Sequence, residues 1–518
     1  MAYIAPNSII RIYKNIPLDN TYEDTIYFAS ASAQRSYFNT GIQYTLDDHS
    51  YQRVNNNQGQ IKVEILADNL YTCNYMAFQN TNFGNKWFYA FITNVEYINN
   101  ATSLVTFEID DMQTYMFDYE LLQCFVEREH SATDEAGDNI VEENLDIGDY
   151  QYSDIKHSGL FDDWGVLVQS NYNFEGQQSY DGMFSQVGDM IIGTDVFLCT
   201  EYDGHDIPSQ LQEWITTVTN AYGEDGSNIL SISMFPTELY DTIDTPQHFI
   251  VQKPTKNGTY TPKNKKLLTY PYCYLGLTNG TGEINEYRYE YFNTASCRFQ
   301  VRGDLTSVSA IASPIGYNTD SGLSYPNHNF ATFMNNFPQC NFTIDSFKMW
   351  WAQNKVTTAT NVGLGIAGYV GGAAAAATGH LVAGKAVMTA SKARIASILA
   401  DYNQREGLKD YMQGVAGSGV MVNTGMQDFC HINIHLQPSY ARIIDDYFSL
   451  YGYATHRVKV PNRNVRPHWT YTKTIGCKII GNCPTNVAKH ICEIYDKGIT
   501  FWKNPSEVGN YAVDNTIS

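Results

Sequence analysis

The sequence predicts an α+β, mainly β fold: two ferredoxin-like units at the chain ends, a β-rich middle region and a Gly/Ala-rich hydrophobic loop. Three observations lead there. The first and last parts of the chain carry the same order of elements, strand–helix–strand–strand–helix–strand, which is the order of a ferredoxin-like unit. Tyr (39) and Phe (25) are abundant while charged residues make up only 17% of 518, against roughly 25% in an average domain. Such a composition favours strands and large, partly polar subunit interfaces. Finally, residues 356–384 contain no Asp, Glu, Lys or Arg.

In the N-terminal run, Ile61, Val63 and Ile65 alternate with polar residues and predict a strand. Asp68 to Ala77 reads as a short helix. Trp87 to Tyr97 is aromatic and β-branched, a strand, and Asn99-Asn100 turns the chain. Val105, Phe107 and Ile109 alternate again. Asp110 to Phe117 reads as a second short helix with acidic residues where the helix dipole favours them, and Leu122 to Arg128 closes the run.

The C-terminal run repeats this. Ile432, Ile434 and Leu436 alternate with His431, Asn433 and His435. Ser439 is placed to cap a helix with Ile443, Ile444, Tyr447, Phe448 and Tyr451 as its apolar stripe, and Gly452 ends it. Val458 and Val460 mark a strand, and Trp469 to Ile480 another. Thr485 is placed to cap a helix with Val487, Ile491 and Ile494 on one face, Gly498 ends it, and Ile499 to Trp502 is the last strand. Between the runs, a helix starting near Pro208 carries Leu211, Trp214, Ile215 and Val218, ending at Gly223. These readings divide the chain into 1–134, a β-rich middle at 135–345, the hydrophobic segment at 346–425, and 426–518.

The formal charge of −21 (33 Lys and Arg against 54 Asp and Glu) argues against nonspecific nucleic-acid binding. An acidic lumen that only passes DNA is a different case, because it keeps phosphates off the wall; acidic charge also serves solubility. The ten cysteines lie singly without a Cys-x-x-Cys pair, and are read as reduced, buried, small apolar residues. The opening MAYIAPNSIIRIYKN lacks a charged region followed by an apolar one, so a protein made and assembled in a cytoplasm is expected.

The segment at 356–384 is long enough to span a bilayer, which takes about 20 apolar residues. Gly368, Gly372 and Ala376 recur every four residues, a small-residue ridge that lets helices approach closely in lipid. Met388, Ile395, Leu399 and Tyr402 follow at helical spacing beside Lys385, Lys392 and Arg394, as in a helix lying on a membrane surface. The run lacks the Leu/Ile/Phe density of a permanent anchor. A conditionally membrane-active loop fits it better, with a buried close-packed hairpin or a plain loop as the alternatives. Its candidate residues are Val362, Gly363, Leu364, Gly365, Ile366, Gly368, Tyr369, Val370, Gly372, Ala376, Leu381 and Val382.

The stretches FQNTNFGNKWFYAFITNVEYINN (78–100), FEIDDMQTYMFD (107–118) and CFVEREH (124–130), with IDDYFSLYGYATHRVKVPNRNVRPHWTYTKT (444–474) and IYDKGITFWKNP (494–505), resemble the tail knob (distal tail tube) proteins of small short-tailed bacteriophages of Gram-positive hosts, the picovirus-type podoviruses. The resemblance covers the two end regions well and the middle by position. It implies a homohexameric tube at the distal tail end, with the ferredoxin-like end units as tube-wall domains. The implied lumen conducts phage double-stranded DNA during genome ejection without specific binding. A long hydrophobic loop plugs it and later penetrates the host cytoplasmic membrane. Segment 346–425 matches that loop in character and position and in no defined residue motif. Implied partners are a collar or lower tail tube protein and tail-tip proteins; the implied location is the virion tail tip, with transient contact with the host membrane.

Other constellations are weaker. His431 and His435 share one face of a strand, which allows a metal site but more often marks ordinary histidines. Glu127, Glu129, His130, Asp134, Glu135 and Asp138 form an acidic run that reads as a solvated loop rather than a glycosidase pair. Asp110-Asp111 reads as a helix cap before a cation site. Asp162-Asp163-Trp164 resembles a carbohydrate-contact patch of low specificity. No catalytic, cofactor or metal residue is expected, and no P-loop, Gly-x-Ser-x-Gly or His-Glu-x-x-His occurs. A tail-tip enzyme degrading cell-wall sugars and a stand-alone pore-forming protein are the rival classes.

Overall fold

The computed structural model describes residues 7–53, 58–161, 164–170, 179–180, 185–187, 190–192, 195–199, 213–214, 217, 220, 229–240, 245–279, 284–305, 307–319, 325–334, 339–341 and 428–517. Strands dominate, as the composition predicts. The chain divides into two interleaved units. The first comprises Met1–Ile147, Tyr260–Leu267 and Pro438–Ser518, the second Gly148–Thr259 and Leu268–Gln437.

The first unit is built on a seven-stranded antiparallel sheet. Its spatial order is Ile42–His49, Ser8–Lys14, Cys73–Asn80, Trp87–Asn99, Thr102–Ile109, Gln58–Val63 and Gln52–Arg53. The expected alternation holds: Val105, Phe107 and Ile109 are buried, as are Ile61 and Val63. Gly59 pairs with Phe107 in this sheet, and a Cβ there would lie 2.3 Å from the Phe107 ring. A glycine is therefore required where the ring crosses the strand.

The helix expected over 68–77 stops at once: only Ala67–Leu70 is helical, and Cys73–Asn80 is a central strand. Met76, Ala77 and Phe78 are buried in succession. A strand covered on both faces loses its alternation and reads as an apolar run.

A second, five-stranded sheet joins the chain ends in the order Asp24–Ile26, Ile499–Trp502, Trp469–Ile475, Cys124–Glu129 and Tyr453–Lys459. The first pair is parallel and the rest antiparallel. This pairing corrects the expectation of a separate ferredoxin-like sheet at each end. Cys124–Glu129, expected to close the N-terminal run, lies between two C-terminal strands instead. Cys430–Leu436, expected to open the C-terminal run, pairs within the second unit. The N-terminal run also carries one strand more than the expected order, Cys73–Asn80, and pairing partners depend on long-range contacts that element order does not encode. The boundaries at 134 and 426 differ from the observed units for the same reason.

One core serves both ends of the chain. Tyr13, Phe38, Tyr75 and Phe91 pack in the same cluster as Ile491, Ile494, Tyr495 and Phe501. The helix Thr485–Lys497 buries Val487, Ile491 and Ile494 as predicted. The helix Pro438–Tyr451 starts at Pro438, one residue before the expected cap, and buries Ala441, Ile444, Asp445 and Phe448, while Ile443 is 65% exposed.

The second unit contains a four-stranded sheet, Tyr150–His157, Cys430–Leu436, Cys273–Thr278 and Ile284–Tyr287, and another, Gln247–Gln252, Ser296–Asp304, Ser309–Ile315 and Thr332–Met334. A five-stranded sheet is centred on Trp164–Ser170. The core is aromatic: Phe249 and Phe299 stack at 4.9 Å, and Tyr287 meets Phe299 edge-on at 5.1 Å. Of the helix expected at 208–223, the described residues 213, 214, 217 and 220 are helical, and Trp214 is buried.

Candidate functional site

All twelve residues assigned to the membrane-active loop, Val362 to Val382, lie outside the described residues, as does the whole of 346–425. The polar residues singled out elsewhere are described, and most take structural roles.

The acidic run is a solvated loop only in part: Glu135 and Asp138 are exposed, as expected, while Glu129 and His130 are not. Glu129 and His130 are each 1% exposed. The Glu129 carboxylate takes the Lys459 ammonium and accepts from the Asn462 backbone N–H at 2.9 Å. Arg128 pairs with Glu143, donates to the Gly452 carbonyl at 2.6 Å, and lies over the Tyr447 ring at 4.6 Å. Lys266 pairs with the same Glu143 and donates to the Val141 carbonyl at 2.7 Å. Burial, and then the neighbouring Arg128 guanidinium, push the Lys266 ammonium down to about 7. Buried charges are tolerated only when paired and hydrogen-bonded, and this arrangement supplies both.

The network explains why Tyr260–Leu267, from mid-chain, belongs to the first unit. The Asp445 carboxylate, fully buried on the helix Pro438–Tyr451, accepts from the Tyr260 hydroxyl (2.9 Å), the Lys263 and Asn264 backbone N–H groups (2.7 and 2.9 Å) and the Asn264 side chain (2.8 Å). Asp134 accepts from the Tyr453 hydroxyl and from the Lys265 backbone N–H at 3.1 Å. Sequence reasoning passed over Asp445, although a signal existed: it falls with Ala441, Ile444 and Phe448 on one helical face.

Asp110 caps the helix Asp111–Tyr115, as expected, accepting from the Gln113 N–H at 3.0 Å and from the Tyr75 hydroxyl at 2.8 Å. Burial pushes its carboxyl up to about 7 despite these hydrogen bonds. Asp111 meets His490 at 2.6 Å, and that hydrogen bond raises the imidazole against the opposing effect of burial.

The two histidines of Cys430–Leu436 have separate environments. His435 is buried, its Nδ1 2.8 Å from the Leu436 carbonyl, whereas half-buried His431 lines a cleft. Among the described residues no group of three His, Cys, Asp or Glu side chains is arranged to hold a metal ion. Asp162 and Asp163 lie outside the described residues.

Comparison with known proteins accounts for this architecture. Residues 236–516 match the family model for the C-terminal domain of the Bacillus phage phi29 tail knob protein gp9, and residues 6–120 match the N-terminus of the caudoviral major tail protein family. Tail knob protein gp9 of Bacillus phage phi29 is 27% identical, as are the gp9 proteins of Bacillus phages PZA and B103, each alignment covering 100% of both chains. The tail knob protein gp12 of bacteriophage C1 has a similar fold, with a TM-score of 0.62 at 13% identity over 98% of this chain and 99% of that one. With more than half of its residues in the gp9 C-terminal family model and both ends matched to phage tail proteins, the chain belongs to the bacteriophage tail knob protein family.

Proposed function

We propose that this protein is a structural component of the virion tail, a homohexameric knob that forms the distal end of a DNA-conducting tube, and not an enzyme. The observation that carries this reading is the full-length similarity to tail knob proteins. The first unit serves as the tube wall. An exposed apolar row supports that assignment. Val458 (68% exposed) and Ile475 (55%) stand opposite Phe125 on the two neighbouring strands. Apolar residues in a row on a charge-poor surface mark a contact with another chain. The net charge of −21 suits a lumen that passes duplex DNA without holding it.

Segment 346–425 is the plug in this reading. It closes the lumen before infection and is released to penetrate the host cytoplasmic membrane during genome ejection, the copies associating through Gly368, Gly372 and Ala376. Collar and tail-tip proteins of the virion are the proposed partners. Mass photometry of the purified chain tests the assembly, and dye release from liposomes at neutral and mildly acidic pH tests the segment, beside a variant lacking 356–399. A hexamer whose leakage disappears with the deletion supports both parts. A monomer under native conditions overturns the tube, and a hexamer that never leaks reduces the segment to a plug.

A further inference from the structure

The second unit contains a cleft of about 420 Å³ whose rim is basic, in a chain that is otherwise strongly acidic. That volume lies within the usual range for small-molecule sites, about 300–1,000 Å³. Three lysines, Lys156, Lys253 and Lys256, border it against one carboxylate, Asp154, a formal excess of two positive charges (three minus one). Lys156 and Lys256 are exposed and form no ion pair among the described residues. Among the described residues, that leaves two ammonium groups without an acidic partner at one opening.

The cleft is built rather than incidental. Its apolar floor is formed by buried Leu275 and Tyr289, beside polar His431 and Asn433, and the Tyr289 hydroxyl donates to Asn433 Oδ1 at 3.0 Å. The lysine-bearing segment is held in place at both ends. Lys253 Nζ donates to the Phe292 carbonyl at 2.9 Å. The Asn257 side chain donates to the Tyr272 carbonyl at 2.8 Å and accepts from the Leu436 N–H at 3.1 Å. Gly258 turns the chain at φ +59° with the His435 ring against it, where a Cβ would come within 2.2 Å of the imidazole. Lys256 is therefore presented by a braced segment, which lowers the ordering cost of binding.

We propose that this cleft is a binding site for a phosphorylated polyol, with Lys156 and Lys256 taking the phosphate and the apolar floor taking the carbon chain. Lysine ammonium groups bind phosphate as point charges. The volume exceeds what a bare anion fills, and the floor offers a carbon backbone contact area. Duplex DNA is disfavoured as the occupant, because the cleft is small and the chain as a whole repels a polyanion.

Isothermal titration calorimetry on the full chain at low and high salt tests the assignment. The probes are inorganic phosphate, glycerol 3-phosphate, a glycerol phosphate oligomer and a duplex DNA oligomer. Expected is salt-sensitive binding of glycerol 3-phosphate and the oligomer, at least tenfold tighter than inorganic phosphate. The exposed double substitution Lys156→Gln/Lys256→Gln should weaken it at least tenfold while leaving the melting temperature unchanged. Asp154→Asn should tighten it, a gain that a damaged fold does not produce. Tighter binding of the oligomer per phosphate than of glycerol 3-phosphate assigns the ligand to a polymer, and equal binding to a free phosphate ester. No binding of either ester, equal binding of inorganic phosphate, tighter binding of DNA, or unchanged affinity in the double variant each overturns the proposal.

Discussion

The backbone N–H of Tyr471 donates to Nδ1 of His130 at 2.7 Å, while the His130 backbone N–H donates back to the Tyr471 carbonyl at 3.1 Å. The other ring nitrogen, Nε2, lies 3.0 Å from the Ser449 carbonyl and donates to it. These partners select one neutral tautomer, an acceptor at Nδ1 and a donor at Nε2. Burial, reinforced by Arg466, pushes the imidazole down to about 3.

Acid sensitivity follows from that pairing. The folded form resists protonation that the unfolded chain accepts near 6.5, so the unfolded state binds more protons between about pH 6.5 and 3. The contribution to stability is complete above pH 6.5 and is lost as pH falls toward 3, reaching at most about 5 kcal/mol over the whole window at ~1.4 kcal/mol per pH unit. Thermal melts from pH 7.5 to 4 should show this fall, and His130→Gln should flatten the slope while lowering stability at pH 7.5 by about 1–3 kcal/mol through lost hydrogen bonds. An unchanged slope in the variant excludes His130 as its source.

Asp110 acts in the opposite sense. Its carboxyl is pushed up to about 7, so folding favours the protonated form and the stabilisation is lost as pH rises from about 4 through 7. Asn is as good a helix cap as Asp. Asp110→Asn should therefore gain stability relative to the parent at pH 8, by at most about 4 kcal/mol, and show little gain at pH 4. Paired urea titrations at the two pH values measure the difference.

Asp445 ties the mid-chain segment Tyr260–Leu267 to the helix Pro438–Tyr451. Asp445→Ala strips four donors of their acceptor and should cost about 3–5 kcal/mol, as breaking a buried charged network does. Limited proteolysis should then cut near Lys263 or Lys265 faster than in the parent. Resistance equal to that of the parent would show that the segment is held by other contacts.

Gly59→Ala places a methyl group against the Phe107 ring. Overpacking of this kind costs about 1–3 kcal/mol. The double variant with Phe107→Leu should recover part of the loss of Gly59→Ala in a mutant cycle, because the smaller side chain vacates the space. A strictly additive pair would mean that the strand shifts instead.

The exposed row Val458, Phe125 and Ile475 provides a test of the proposed wall contact. Val458→Asp and Ile475→Asp together should shift mass photometry from hexamer toward monomer while leaving circular dichroism unchanged. On the segment side, Leu replacements at Gly368 and Gly372 should spare assembly and reduce liposome leakage. Leakage at the parent level would remove that face from the mechanism.

Local chemistry was legible in the sequence wherever one face of an element is buried and the other is wet. Val105, Phe107 and Ile109, the stripe of Thr485–Lys497, the cap at Asp110 and the stop at Gly452 all come from short-range periodicity and capping, and the structure has them. The resemblance of residues 78–100 and 444–474 to tail knob proteins was legible for the same reason, since those stretches are contiguous. Cys73–Asn80 was misread because its burial on both faces erases the period. Tertiary structure alone decided that Cys124–Glu129 lies between Trp469–Ile475 and Tyr453–Lys459, and that Cys430–Leu436 belongs to the other unit. It also decided that Glu129 in the acidic run is buried, because Lys459 and Asn462 arrive from more than three hundred residues away to neutralise and hydrogen-bond it. Spacing along a chain records which face a residue takes; only the folded chain brings the partner that lets a charge stay inside.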